Sequence, residues 1–150
     1  THDWPVVIVG AGNLGQALAG YGGFGDRGFP VGGIVDVDEE KVGSLIGGVR
    51  VRHLSDLDQV VQSLSIAIGV IATPGSAAQE AADALLGAGV TSILNFAPTV
   101  VNAPHGVNVR KVDLAVELQI LSYHEQRRAN AAQAAGLRAV LGDAGRGASA

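Results

Sequence analysis

Six residues constrain this chain more than any others: Gly10-Ala11-Gly12-Asn13-Leu14-Gly15, a G-x-G-x-x-G pattern. The pattern follows the apolar run Val6-Val7-Ile8-Val9, a β-branched stretch ending in Gly that reads as a buried strand. After it, Asn13 to Tyr21 reads as a helix with Leu14 and Leu18 on one face. In that setting Gly10 permits a tight turn, Gly12 lets a pyrophosphate approach the backbone, and Gly15 lets helix and strand pack closely. The freed amides and the helix dipole suit an anion. Glycine is 22 of the 150 residues, so the pattern alone would say little. Its strand–turn–helix context favours a dinucleotide over a plain turn.

The rest of the chain repeats this alternation. Gly20-Tyr21-Gly22-Gly23-Phe24-Gly25 ends the first helix, Val31 to Asp36 reads as a second strand, and Glu39 to Val42 as a short helical turn. Val49 to Val51 suggests a third, more exposed strand, and Ser55 caps a helix running to about Leu64. Ile66 to Ala72 is another central strand, Pro74 to Leu86 a helix with Pro in its first turn, and Ser92 to Phe96 the next strand. Val107 to Val112 is a last short strand, and Asp113 caps a helix running to about Asn130. The expected fold is α/β: a Rossmann-like, doubly wound, mostly parallel sheet covered on both faces. Residues 1–112 form that domain, 113–135 a C-terminal helix, and 136–150, rich in Gly, Ala, Ser and Arg, a disordered tail.

Composition narrows the function. Hydrophobic residues make up 47% and mean hydropathy is +0.31, enough for a core, while the apolar runs fall far short of the ~18 residues a membrane span needs. With no Cys, neither a disulfide framework nor a thiolate metal site is available, which fits a cytoplasmic location. Ten Lys and Arg against fourteen Asp and Glu give a net charge of −4, a surface that repels phosphate backbones. The start, Thr1-His2-Asp3-Trp4, has no signal-peptide pattern, and Met is absent even at position 1, so a processed chain or a fragment of a longer one is expected.

Asp36 ends the second strand, 26 residues after Gly10, where a carboxylate accepts hydrogen bonds from the adenosine ribose hydroxyls. Asp38, Glu39 and Glu40 follow it and no Arg does, so a 2′-phosphate would meet like charge and NAD is favoured over NADP. For Glu39 and Glu40 a plain surface role serves as well. Thr73-Pro74 and Asn95-Phe96-Ala97-Pro98 each follow a central strand, placing them near the nicotinamide half or making them simple turns. The histidines His2, His53, His105 and His124 share no metal spacing, and no nucleophile elbow or zinc-protease motif occurs. The helix from Asp113 carries two apolar stripes, Leu114, Leu118 and Leu121 beside Val116, Ile120 and Tyr123. Such a helix is covered on two sides, by a partner subunit or by its own domain.

Together these residues resemble the cofactor-binding domain of the Rex family of redox-sensing transcriptional repressors. The stretches that carry the likeness are VVIVGAGNLGQALAGYGGF, IVDVDEEKVG, IGVIATPGSAAQEAADALL, ILNFAP and NVRKVDLAVELQ. The resemblance implies a non-enzymatic sensor of NADH and NAD⁺, a homodimer whose C-terminal helix is swapped between subunits, and operator DNA bound only through a winged-helix domain preceding Thr1. NADH would release the repressor from DNA. By position, Gly10, Ala11, Gly12, Asn13, Leu14 and Gly15 would hold the pyrophosphate and Asp36 the ribose. Tyr21 and Asp113 match a Tyr and an Asp of the family's switch, and Leu114 stands where some members have a Phe against the nicotinamide. A pocket walled by Leu114 and Phe96 tolerates the neutral ring of NADH better than the charged ring of NAD⁺. Two other readings share the architecture: the nucleotide half of an NAD-dependent dehydrogenase, and a CoA-binding domain. Asp36 suits a ribose with free hydroxyls better than the phosphorylated ribose of CoA.

Overall fold

A computed structural model describes residues 3–148; the side chains of residues 114–122 and 143–148 lie outside that description. The chain divides into two compact units, Thr1–Asp113 and Leu114–Ala150. In the first, β1 (Val6–Val9), α1 (Asn13–Gly20), a short α2 (Gly23–Asp26) and β2 (Val31–Asp36) follow in order. Next come a hairpin of β3 (Leu45–Ile46) and β4 (Val49–His53), then α3 (Leu57–Leu64), β5 (Ile68–Ile71), α4 (Ala78–Gly87), β6 (Ser92–Asn95) and β7 (Asn108–Lys111).

The strands form one seven-stranded sheet in the order β3-β4-β2-β1-β5-β6-β7. Every pairing is parallel except β3 with β4. The order reverses direction beside β1, the switch point at which open α/β sheets bind ligands beyond the strands' carboxyl ends. The fold is thus the expected Rossmann-like one, mostly parallel, with the hairpin as its antiparallel edge.

Alternation along each strand sends residues to two faces. Val7, Val9, Val35, Ile71 and Ile93 pack with Leu57, Val60, Val61, Ala78, Ala82 and Leu85 of α3 and α4 on one face. Two glycines make room there: a Cβ on Gly33 would meet Val60 at 2.6 Å, and one on Gly69 would meet Leu85 at 2.7 Å. On the other face Ile8, Ile34, Val51 and Val70 pack with Leu14 and Leu18 of α1. Within the first unit this second face carries less helix than expected. The β2–β4 connection supplies turns and the hairpin, whose Gly47 lies so close to α1 that a Cβ would meet the Ala19 carbonyl at 2.6 Å. An apolar groove remains open, walled chiefly by Leu18, Phe24, Phe29, Val70, Leu94 and Phe96.

Several local expectations change. Residues 39–43 form turns, not a helical turn, because Asp38 caps the Glu40 amide at 2.9 Å and its carbonyl accepts from Lys41 at 2.9 Å. Ser55 does not cap α3; it sits in a 3₁₀ turn, Leu54–Asp56, where its own amide donates to His53 Nδ1 at 3.1 Å. The helix α4 likewise starts after a 3₁₀ turn, Gly75–Ala77, that Pro74 opens.

The second unit is a single helix, α5 (Leu114–Ala148), which continues through the segment read from sequence as a tail. Ala, Gln, Leu and Arg dominate residues 131–141 and are strong helix formers, so Gly136 and Gly142, at about 1 kcal/mol each, do not end it. Tyr123, Leu137, Val140 and Leu141 are exposed along it. The stripes at Leu114 to Leu121 fall on side chains outside the described residues. Among the described residues no helix is long and apolar enough to cross a membrane.

Candidate functional site

The glycine pattern sits at the top of β1, as its spacing requires. Gly10 has φ +114, a conformation that suits glycine, and a Cβ there would lie 2.7 Å from the Ala72 carbonyl oxygen. A Cβ on Gly15 would drive into the Gly10 carbonyl, so α1 approaches the loop as closely as backbone allows. Gly12 has open space where a side chain would be. It is the N-cap of α1 and no side chain caps that end, leaving the first-turn amides free for an anionic ligand. The Gln16 side chain reaches back to the Ala11 carbonyl at 3.0 Å and stiffens the loop.

Asp36 stands beside this loop, at the end of β2. Its Oδ2 accepts the Ala11 amide at 2.7 Å and its Oδ1 accepts the Asp38 amide at 2.8 Å. A cleft of about 340 Å³ opens above them. Of the residues expected from sequence, Gly10, Gly12, Asp36, Thr73 and Pro74 line it. The Thr73 hydroxyl bonds locally to the Pro74 carbonyl at 3.0 Å.

Beyond these and the strand-end residues Val9 and Ala72, the lining includes Val37, Asp38, Lys41, Leu54, Ala77, Glu80 and Ala81. Val37, exposed directly after Asp36, and Leu54 face the cleft from one side, Ala77 and Ala81 from the α4 side. Apolar walls of this kind suit the flat faces of a base. No motif marks them; the available signal was position alone, just past the ends of β2, β4 and β5. Lys41 adds a cation to a cleft that otherwise carries the carboxylates of Asp36, Asp38 and Glu80.

Other expected residues lie elsewhere. Asn95 is the sole buried polar side chain among the described residues, 1% exposed, and it is spent within its own loop. Its Oδ1 accepts from Ala97 at 2.9 Å and its Nδ2 donates to the Thr99 carbonyl at 2.8 Å. Phe96 turns into the apolar groove beside Phe24, on whose ring Tyr21 rests edge-on at 5.0 Å. Tyr21 follows the last turn of α1, so the eight-residue helix, about 12 Å long, separates it from Gly12. Asp113 lies two residues past the end of β7, with the Lys111 ammonium 3.9 Å from its carboxylate. The Leu114 side chain lies outside the described residues. Among the described residues no group of His, Asp or Glu could hold a metal.

A parallel sheet with a switch point, a glycine turn at the N-terminus of α1 and a carboxylate at the end of the next strand define a nucleotide-binding domain of the Rossmann class. The family model described as "CoA binding domain" matches residues 1–99. The chain belongs to that family, and within it is similar to Rex repressors. It is 58% identical over 135 residues, 90% of its length, to the redox-sensing transcriptional repressor Rex of Streptomyces coelicolor, covering 52% of that protein. Among solved structures it is similar to the Rex-family repressor RSP. RSP in complex with β-NADH matches at 34% identity and a TM-score of 0.76, over 85% of this chain and 62% of that one. RSP with β-NAD⁺ and operator DNA matches at 32% identity and 0.75, over 90% and 62%. The chain spans about half the length of the curated relatives it matches first.

Proposed function

We propose that this chain is the NAD(H)-binding sensor domain of a transcriptional repressor, acting by ligand binding and without turnover. The observation that carries the reading is the Gly10–Gly15 loop held against Asp36 at the mouth of one cleft. First-turn amides of α1 take the pyrophosphate, and Asp36 takes the adenosine ribose. The relatives solved with NADH, and with NAD⁺ and operator DNA, support a redox signal read by the same fold.

The functional unit is a cytoplasmic homodimer. The groove walled by Phe24, Leu94 and Phe96 is an apolar face that this unit leaves open, and α5 exposes Tyr123, Leu137, Val140 and Leu141. A helix exchanged between subunits covers both kinds of surface. NADH carries a neutral nicotinamide and NAD⁺ a cationic one, and an apolar enclosure penalises the cation. NADH therefore favours one arrangement of the dimer, and the full-length protein releases operator DNA through a winged-helix domain. Tyr21, Asp113 and Leu114 act at the nicotinamide side of that switch. Moving such an equilibrium from 1:99 to 99:1 takes roughly 10⁴-fold differential binding, about 5.5 kcal/mol, which two sites acting together supply.

Calorimetric titration with NADH and then NAD⁺, with the solution mass measured alongside, tests this. Tighter NADH binding on a dimer is expected. Equal affinities on a monomer point to a severed dehydrogenase half. The family match leaves room for a CoA-binding reading, in which CoA displaces NADH; the carboxylates of Asp36 and Asp38 at the ribose end argue that it will not.

A further inference from the structure

Asp36 has two neighbours that a residue serving only a ribose would not need. Its Oδ2 lies 2.7 Å from the Ala11 amide, 25 residues away in sequence, and its Oδ1 lies 2.8 Å from the Asp38 amide. An ionised carboxylate offers about four acceptor positions, so two remain for a ribose diol. We propose that Asp36 is a positioning residue for the phosphate-binding loop as well as an acceptor for the ribose. This rests on the nucleotide reading above.

Ala11 links the two roles. It is fully buried, 0% exposed, and sits between the Gly10 turn and the Gly12 cap of α1. Its carbonyl is held by Gln16 and its amide by Asp36, so both polar groups are occupied before any ligand arrives. The Ala11 amide is therefore an anchor of the loop and not a phosphate donor. Phosphate is left to Gly12 and the first turn of α1, whose direction the anchor sets. A hydrogen bond to a charged acceptor is stronger than a neutral one, and an amide left buried without a partner is costly. Ribose and phosphate recognition are thus tied through one carboxylate.

The sign of a substitution separates this from a purely ribose role. Asp36→Asn removes a negative charge beside a diphosphate, which by Coulomb's law alone tightens anion binding. It also puts an NH₂ group, a donor, against one of two backbone amides, which loosens the loop.

The experiment compares the wild-type chain with Asp36→Asn on two probes: NADH, and its 2′,3′-dideoxyadenosine analogue, which keeps both phosphates but has no ribose hydroxyl to offer Asp36. The expected result is that Asp36→Asn weakens the analogue about tenfold. Unchanged or tighter binding of the analogue would overturn the proposal. Amide hydrogen exchange on the ligand-free chains gives a second reading. Ala11 is expected to exchange about tenfold faster in Asp36→Asn, with Ile8 and Val70 unchanged as evidence that the sheet is intact. Unaltered protection of Ala11 would equally sink the idea. If the wild type binds no NADH, the functional reading fails, while the exchange experiment still decides whether Asp36 anchors the loop.

Discussion

The two faces of the sheet begin from the same strand pattern and end differently. On one, α3 and α4 cover Val7, Val35, Ile71 and Ile93, and Leu85 is left with no exposed surface. On the other, α1 covers Ile8 and Ile34, but Ile68 and Leu94 remain half-buried and Phe96 opens onto a groove. The cause is in the connections. The β4–β5 and β5–β6 crossovers each carry a helix onto the first face. The β2–β4 and β6–β7 connections bring none to the second. The closed face provides stability for this unit on its own, whereas the other leaves apolar surface that this unit's own helices do not cover.

The widest gap between the faces should come from Leu85→Ala. It empties a fully buried site against Gly69 and should cost about 3–4 kcal/mol in urea unfolding, whereas Leu94→Ala on the open face should cost less than half as much. Equal losses would break the comparison. Next in size, Gly10→Ala places a Cβ against the Ala72 carbonyl at a positive φ, and a loss of about 2 kcal/mol with impaired NADH binding should appear in thermal unfolding and titration. Phe96→Asp sharpens the contrast in another way. The folded unit should lose only about 1 kcal/mol, while ultracentrifugation should show the dimer dissociating. If mass and stability both stay unchanged, the groove is not an interface. The smallest effect lies on the closed face: Ser65 caps α3 at φ +50, and Ser65→Gly should stabilise by about 0.5–1 kcal/mol in the same unfolding assay.

The sequence was most legible where a short β-branched run meets a glycine or a carboxylate. Val6–Val9 and Val31–Asp36 are read with the bounds the structure gives them, because hydrophobic runs of that length cannot form amphipathic helices. The β3–β4 hairpin was invisible in half: Leu45–Ile46 is too short to show alternation, and only its partner and the Gly47-Gly48 turn with positive φ define it. In the cleft, the glycines and Asp36 were legible because phosphate and ribose demand particular residue types. Val37, Leu54, Ala77 and Ala81 were not, since an apolar wall is assembled from three separate segments and many hydrophobic residues serve. Asn95 shows the opposite difficulty. A polar residue at the end of a central strand reads equally as a ligand contact or as turn chemistry, and only the fold shows that its amide already bonds Ala97 and Thr99.

The sheet also has two edges, and both are blunt. On one side lies β3, only two residues long; on the other, β7 presents Asn108, Arg110 and Lys111 to solvent along its four residues. Neither offers a long, uncharged row of amides and carbonyls to a passing strand. A protein that pairs through an apolar face runs a constant risk of open-ended polymerisation. Here growth by strand addition is discouraged at both ends of the sheet, so the proposed dimer would form across a face, where two copies close on each other and stop.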